Sequence, residues 1–316
     1  MKTLQSVLPT LFGLWFYKKN LLFTTRPLVS LYASLLTILS FSFYGRLPWI
    51  FTLTVALCFG VISASIQVFN DYQDRNHDIK KGKTFAYQNA VLLFDFWLLI
   101  SSLGIIPMMA ISEISVRVAI LCAAIWGLGI LYSFLQKFFI GQNTIVALCA
   151  SLPALCGNTF YGRPDIGYRS SFVFLLFLAI VFVREVVKDI QDRRVDKGYK
   201  HTLPVLTADC TRPDDTFRVF KPPYPRITIP IETAFPGFLP EIFSTVHAIS
   251  LIVGWASLLC FGLGVWGIPM FFMMIGIVMI FQLVLRNPDR FILPAKNFID
   301  ATIIMFFALM YIRVLI

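Results

Sequence analysis

The chain has 316 residues, 58% of them hydrophobic and only 14% charged, with a mean hydropathy of +0.77. A soluble domain carries about a quarter of its residues as charged side chains, so this composition excludes a water-soluble globule and points to a chain that lies mostly in lipid. The net charge of +10 would suit a nucleic-acid partner, but the placement of the basic residues argues for membrane topology instead.

The first 27 residues carry Lys18, Lys19 and Arg26 behind a short apolar stretch, with no small-residue cleavage site after it. No cleaved signal peptide is expected. Apolar runs long enough to cross a hydrocarbon core, which takes about 20 helical residues, follow at 28–45, 49–70, 89–111, 114–134, 142–160, 170–189, 244–264, 266–286 and 296–315. Nine spans predict an all-α polytopic membrane bundle, read as one domain over 1–316. With the N-terminus in the cytoplasm, the inside segments and the adjoining end of the sixth span hold 22 of the 27 Lys and Arg, leaving only Arg46, Arg117, Arg163, Arg169 and Arg313 outside. Cytoplasmic loops are enriched in these residues, so the C-terminus falls on the opposite side and no nucleic acid is needed to explain the charge.

Regions 71–88 and 189–243 are then cytoplasmic loop or cap regions. Within the second, Pro213, Pro222, Pro223, Pro225, Pro230, Pro236 and Pro240 argue against helix, and 205–243 reads as an ordered cap over the cytoplasmic mouth. The six cysteines, Cys58, Cys122, Cys149, Cys156, Cys210 and Cys260, have no metal-ligand spacing and read as small buried packing residues.

The two charged stretches that continue from the second and sixth spans align without gaps. Asn70-Asp71-Tyr72-Gln73-Asp74-Arg75-Asn76-His77-Asp78 matches Lys188-Asp189-Ile190-Gln191-Asp192-Arg193-Arg194-Val195-Asp196 at a constant offset of 118 residues. On a helix the spacing i, i+3, i+7 places Asp71, Asp74 and Asp78 on one face, and likewise Asp189, Asp192 and Asp196. Three like charges on a stripe repel, and carboxylates beside an apolar bundle are costly to keep ionised without a partner. A hard divalent cation suits them, since Mg2+ takes oxygen ligands and is usually held by one or two carboxylates plus substrate phosphate oxygens. The bland alternative is a solvated acidic run, which a gapless duplication at two span ends makes hard to sustain.

Two such stripes suit two or more Mg2+ ions bridged by a diphosphate, whose outer oxygens Arg75, Lys83, Lys137, Arg184, Lys188 and Arg193 can neutralise; most of these can equally be topology anchors, while Arg184 and Lys188 precede the stripe on the same helix, where an unpaired charge would be costly. A diphosphate in a membrane protein suggests an isoprenyl diphosphate, with its tail in lipid and its head on metal. Loss of the diphosphate leaves an allylic cation that an acceptor attacks, provided water is excluded.

On these residues the chain resembles the UbiA superfamily of intramembrane prenyltransferases. Asn70 through Asp78 fits its NDxxDxxxD motif, and Asp192 with Asp196 fits its second motif, with Asp189 one turn earlier. The resemblance extends to Arg26-Pro27 before the first span and to Tyr132-Ser133 with Lys137 at the end of the fourth. It implies a nine-helix bundle whose central cavity opens to the cytoplasmic side, with the six aspartates as catalytic and metal ligands and Asn70 and Tyr132 among the substrate-binding residues. The stretch Arg184-Glu185-Val186-Val187-Lys188-Asp189-Ile190-Gln191-Asp192, followed by Thr202-Leu203-Pro204-Val205, looks most like the branch that prenylates geranylgeranylglycerol phosphate. Gln191, Arg194-Val195-Asp196 and Lys83-Thr84-Phe85 depart from the family's usual residues, which leaves the acceptor open between a glycerol-phosphate ether lipid and an aromatic or quinone precursor. A cyclase on the same scaffold and an ion-coupled transporter are rivals, the latter disfavoured because transporter sites lie near the bilayer midplane.

Three further polar residues carry expectations. Asp300 stands four residues after Lys296, a spacing for a helical ion pair. Asp95 is expected to make a hydrogen bond at the cytoplasmic end of its span. His77, between metal-stripe positions, is expected to be solvated.

Overall fold

The computed structural model describes residues 22, 24–44, 49–80, 89–135, 142–162, 164–196, 267–286 and 288–315. Among them every regular element is helical: α1 Pro27–Ser42, α2 Trp49–Lys80, α3 Ala90–Ile114, α4 Val116–Leu135, α5 Gln142–Ser151, a 3-10 turn Leu152–Leu155, α6 Cys156–Tyr161, α7 Pro164–Asp196, α8 Gly267–Arg286 and α9 Pro288–Leu315. Among the described residues six segments are long and apolar enough to cross a membrane: Trp49–Ile79, Ala90–Ile114, Val116–Leu135, Gln142–Tyr161, Gly167–Asp192 and Arg290–Ile312. Pro27–Ser42 and Gly267–Phe281 are shorter apolar stretches. Large apolar side chains such as Leu57, Ile106, Met109 and Ile120 stand exposed along these helices, as lipid-facing surfaces require. The protein is an integral membrane protein. The expected span 244–264 and the Pro-rich 205–243 segment lie outside the described residues.

The chain divides into two compact units, Met1–Phe134 with Leu152–Gly162, and Leu135–Ser151 with Arg163–Ile316. In the first, α2 packs against both α1 and α3. Small residues set the close approaches. A Cβ on Gly60 would lie 2.5 Å from Ser34 Oγ, and Ser34 Oγ donates across to Ala56 O at 2.8 Å. On α6 the Gly157 N–H donates to Ser40 Oγ at 2.8 Å, which brings that backbone directly against α1. A polar triad ties α2, α3 and α4 at membrane depth: the Ser65 and Ser101 hydroxyls share a hydrogen bond of 2.7 Å, and Trp126 Nε1–H donates to Ser65 Oγ at 3.2 Å. Helix boundaries follow capping chemistry. Asn89 Oδ1 accepts from the Leu92 N–H at 3.0 Å to open α3, and Ser115, in extended backbone, separates α3 from α4.

In the second unit α7 packs against α5 and α9, and α8 against α9. Phe177 on α7 meets Phe306 and Phe307 of α9 with ring centroids 6.0 and 5.8 Å apart. Between α5 and α6 the chain tightens into the 3-10 turn at Pro153, which has no N–H with which to continue α5. Cys58, Cys122 and Cys156 are buried and Cys149 half-buried, all as free thiols, the packing role expected of them; Cys210 and Cys260 fall outside the described residues.

Candidate active site

The second span does not stop at the charged stretch. α2 runs on to Lys80 and α7 to Asp196, so 71–80 and 189–196, expected as the starts of loop regions, are helix. The register therefore puts Asp71, Asp74 and Asp78 on one helical face, and Asp189 and Asp192 on one face of α7.

In the first unit, Asp71, Asp74 and Asp78 are only 1%, 3% and 5% exposed. His77, expected to be solvated, is buried with them, because it lies on a continuous helix one turn after Asp74 rather than on a loop. Arg26 reaches Asp71 from just before α1, its Nη2–H donating to Oδ1 at 2.9 Å. Its backbone is left-handed, φ 46 and ψ 67, the one positive-φ residue other than glycine among the described residues. A residue before proline is pushed out of the right-handed helical region, and here the Arg26 carbonyl still accepts from Val29 N–H and Ser30 N–H to start α1. Asn70 is buried, and its Oδ1 has no hydrogen-bond partner among the described residues. Arg75 Nη1–H donates to Tyr72 O at 3.1 Å and its guanidinium lies 5.0 Å from the Tyr72 ring centre. Phe69, Tyr72, Phe94 and Trp97 form a chain of ring contacts 4.7 to 6.1 Å apart, bracing this end of α2 against α3. Tyr132, on α4, is half-buried.

In the second unit, Asp189 is buried and Asp192 half-buried. Asp189 Oδ2 accepts from Asn143 Nδ2–H at 2.9 Å and Gln142 Nε2–H at 3.4 Å, both at the start of α5. One turn before Asp189, the buried Glu185 takes Arg184 Nη1–H at 2.9 Å and Lys188 Nζ–H at 3.4 Å. Arg184 Nε–H donates to Asp300 on α9 at 2.8 Å. Asp300 thus pairs across helices rather than with Lys296 on its own helix. Asp95 is exposed and makes no hydrogen bond among the described residues, so the expected one at the end of its span is absent there. Asp196 and Arg193 lie on helical backbone with side chains outside the described residues, and Lys83 and Lys137 lie wholly outside them.

Gln142, Asn143 and Glu185 were not legible as site residues. Glu185 did carry a signal, since 185, 189, 192 and 196 continue one helical stripe. The two amides carried none, for their contacts join residues 46 and 47 positions apart.

Oxygen donors fit a hard cation here. Among the described residues no three His, Cys, Asp or Glu side chains converge on a metal-sized site. Asn70, one residue before Asp71 on the same helix, carries a buried acceptor oxygen without a partner among the described residues.

A model of the UbiA prenyltransferase family matches residues 28–219. Two solved structures share the fold. One, described as giving insights into the biosynthesis of digeranylgeranylglyceryl phosphate synthase in membranes, is 17% identical with a TM-score of 0.57, over 95% of this chain and 96% of that one. The other is the apo structure of a UbiA homolog from Aeropyrum pernix K1, 12% identical with a TM-score of 0.57, over 88% of this chain and 97% of that one. No curated protein resembles the sequence closely enough to count as a match.

Proposed function

This chain belongs to the UbiA prenyltransferase family and is a membrane prenyltransferase; we propose from that premise that it moves a prenyl group from an isoprenyl diphosphate to a lipid-soluble or amphipathic acceptor. The observation that carries this reading is the duplicated stripe of aspartates, buried at Asp71, Asp74, Asp78 and Asp189, with the partnerless amide oxygen of Asn70 beside the first set. The carboxylates of Asp71, Asp74 and Asp78 and of Asp189, Asp192 and Asp196 would hold two or more Mg2+ ions. When bound, those ions would draw off the charge that develops on the departing diphosphate.

The protein's own residues do the rest. Arg26 fixes the Asp71 carboxylate, and Gln142 and Asn143 fix Asp189. Arg75, Lys83, Lys137, Arg184, Lys188 and Arg193 supply positive charge for the outer diphosphate oxygens. Of the two whose contacts are described on α7, Lys188 is the freer: it is 36% exposed and 3.4 Å from Glu185, while Arg184 is held at 2.8 and 2.9 Å by two carboxylates. Tyr132 lines the substrate. Helices packed around the acid stripes keep water from the allylic cation.

A glycerol-phosphate ether lipid is the favoured acceptor. The support is the run Arg184-Glu185-Val186-Val187-Lys188-Asp189, together with a structural neighbour described as a digeranylgeranylglyceryl phosphate synthase. The Lys and Arg asymmetry supports a cytoplasmic position for the N-terminus and both aspartate stripes. To test the reaction, protein in lipid nanodiscs receives labelled geranylgeranyl diphosphate and Mg2+, with geranylgeranylglycerol phosphate, an aromatic acid or no acceptor. Acceptor-dependent release of diphosphate with a prenylated lipid is expected, and Asp71→Ala or Asp189→Ala should abolish it. A cyclic hydrocarbon formed without acceptor would overturn the transferase reading in favour of a cyclase.

A further inference from the structure

We propose that Gln142 and Asn143, at the start of α5, belong to the cation site of the second aspartate stripe: together they aim the Asp189 carboxylate, and Gln142 Oε1 adds a neutral oxygen to the cation's coordination or hydration shell. The inference rests on the reading of Asp189 as a metal ligand.

Gln142 and Asn143 are 2% and 8% exposed, and Asp189 is 8% exposed. Both amide nitrogens converge on the same oxygen, Asp189 Oδ2, at 3.4 and 2.9 Å. That geometry fixes how the Gln142 amide is turned, because the reverse assignment would set its oxygen against a carboxylate oxygen. Its Oε1 is then left buried with no hydrogen-bond partner among the described residues. A buried acceptor without a donor is costly, and a purely structural Gln at a helix start, holding Asp189 through Nε2, gives no reason to keep one. A hard cation or its bound water does. Amide carbonyls are ordinary oxygen ligands for such ions, and partners that hydrogen-bond a ligating carboxylate set its orientation and tune affinity.

The other unit contains the same device in different chemistry. Arg26, just before α1, donates to Asp71 at a separation of 45 residues, and Asn143, at the start of α5, donates to Asp189 at 46. In both, a residue at the beginning of one span grips the first aspartate of the stripe carried by a later helix. Each unit also holds a buried partnerless oxygen, Asn70 Oδ1 one residue before Asp71 in the sequence and Gln142 Oε1 on the amide that holds Asp189.

The test is Mn2+ binding to the full chain in nanodiscs, read by electron paramagnetic resonance without donor or acceptor. Gln142→Met keeps the length and removes both amide atoms, and it should raise the Mn2+ dissociation constant about 10- to 100-fold, the usual effect of losing a ligand's hydrogen-bonding partner. Gln142→Glu removes the donor but keeps an oxygen, and it should bind Mn2+ at least as tightly as the wild type. If Gln142→Glu is as weak as Gln142→Met, Oε1 has no part in the site and the proposal falls. Wild-type affinity in Gln142→Met, with binding lost in Asp189→Ala, overturns the inference while leaving the proposed function standing; unchanged affinity in Asp189→Ala overturns both. Should Gln142→Met fail to fold, Gln142→Asn, one methylene shorter, must weaken Mn2+ in the same sense, and an unchanged affinity there also overturns the proposal.

Discussion

Arg26 joins two features that can be separated by substitution, a left-handed backbone and an ion pair to a carboxylate that is 1% exposed. An exposed ion pair contributes about 0–1 kcal/mol, whereas breaking a fully buried one costs about 3–5 kcal/mol. With Asp71 buried and the Arg26 side chain 34% exposed, the pair falls between these limits, at about 2 kcal/mol. Arg26→Ala loses that and keeps the left-handed strain, which is about 1 kcal/mol for a residue with a Cβ. Arg26→Gly loses the pair but is relieved of the strain, so it should be destabilised by about half as much. At about 2–4 °C per kcal/mol for chains of 150–250 residues, thermal unfolding in detergent should fall by roughly 5 °C for Ala and by roughly half of that for Gly. A double-mutant cycle with Asp71→Asn should return a coupling of about 2 kcal/mol, well beyond the scatter of about 0.5 kcal/mol for independent sites. Additive effects would refute the ion pair as what secures Asp71. Identical unfolding of the Ala and Gly variants would refute the strain.

Two further pairs of substitutions test contacts in each unit. A Cβ at Gly157 would sit 2.5 Å from Ser40 O and 2.8 Å from Ser40 C, both backbone atoms, whereas one at Gly127 meets nothing within 4 Å; Gly157→Ala should therefore destabilise by about 1–3 kcal/mol and Gly127→Ala by none, compared by unfolding midpoint. Glu185→Gln strips one buried carboxylate from both Arg184 and Lys188, while Asp300→Asn weakens one half-exposed contact of Arg184, so the first should cost the more, about 2 kcal/mol or above against about 1 kcal/mol; the reverse order in the same assay would show that Arg184 is anchored chiefly from α9.

Signals that live within a few turns of sequence are legible for the described residues. Hydrophobic runs marked the positions of the helices, and the i, i+3, i+7 spacing marked the aspartate stripes before any helix was seen there. The ends were read short, because charge after an apolar run resembles a loop, yet Asp71–Lys80 and Asp189–Asp196 contain neither Pro nor Gly and nothing in them stops the helix. The same extension explains why His77 and four of the aspartates are buried rather than solvated. Pairings made through space were out of reach. Spacing on α9 offered Lys296 as the partner of Asp300, but the partner comes from Arg184, 116 residues away.

That last kind of contact also explains why an aspartate motif alone does not build a site. An acidic stripe at the end of a long helix fixes the phase of its carboxylates but not their rotamers, and ligand geometry demands both. In each unit the missing constraint comes from the start of another helix, as a guanidinium at Arg26 and as side-chain amides at Gln142 and Asn143. Because a helix start is fixed by its own capping and by the packing of its span, it offers a rigid point from which to grip a neighbour. Each unit thus pairs a helix that carries a stripe with the start of a second helix that holds its first aspartate. On the cation reading proposed above, the change of gripping chemistry between the units would tune the two stripes differently: a guanidinium brings positive charge that a cation must contend with, whereas an amide aims the carboxylate and leaves an oxygen to offer.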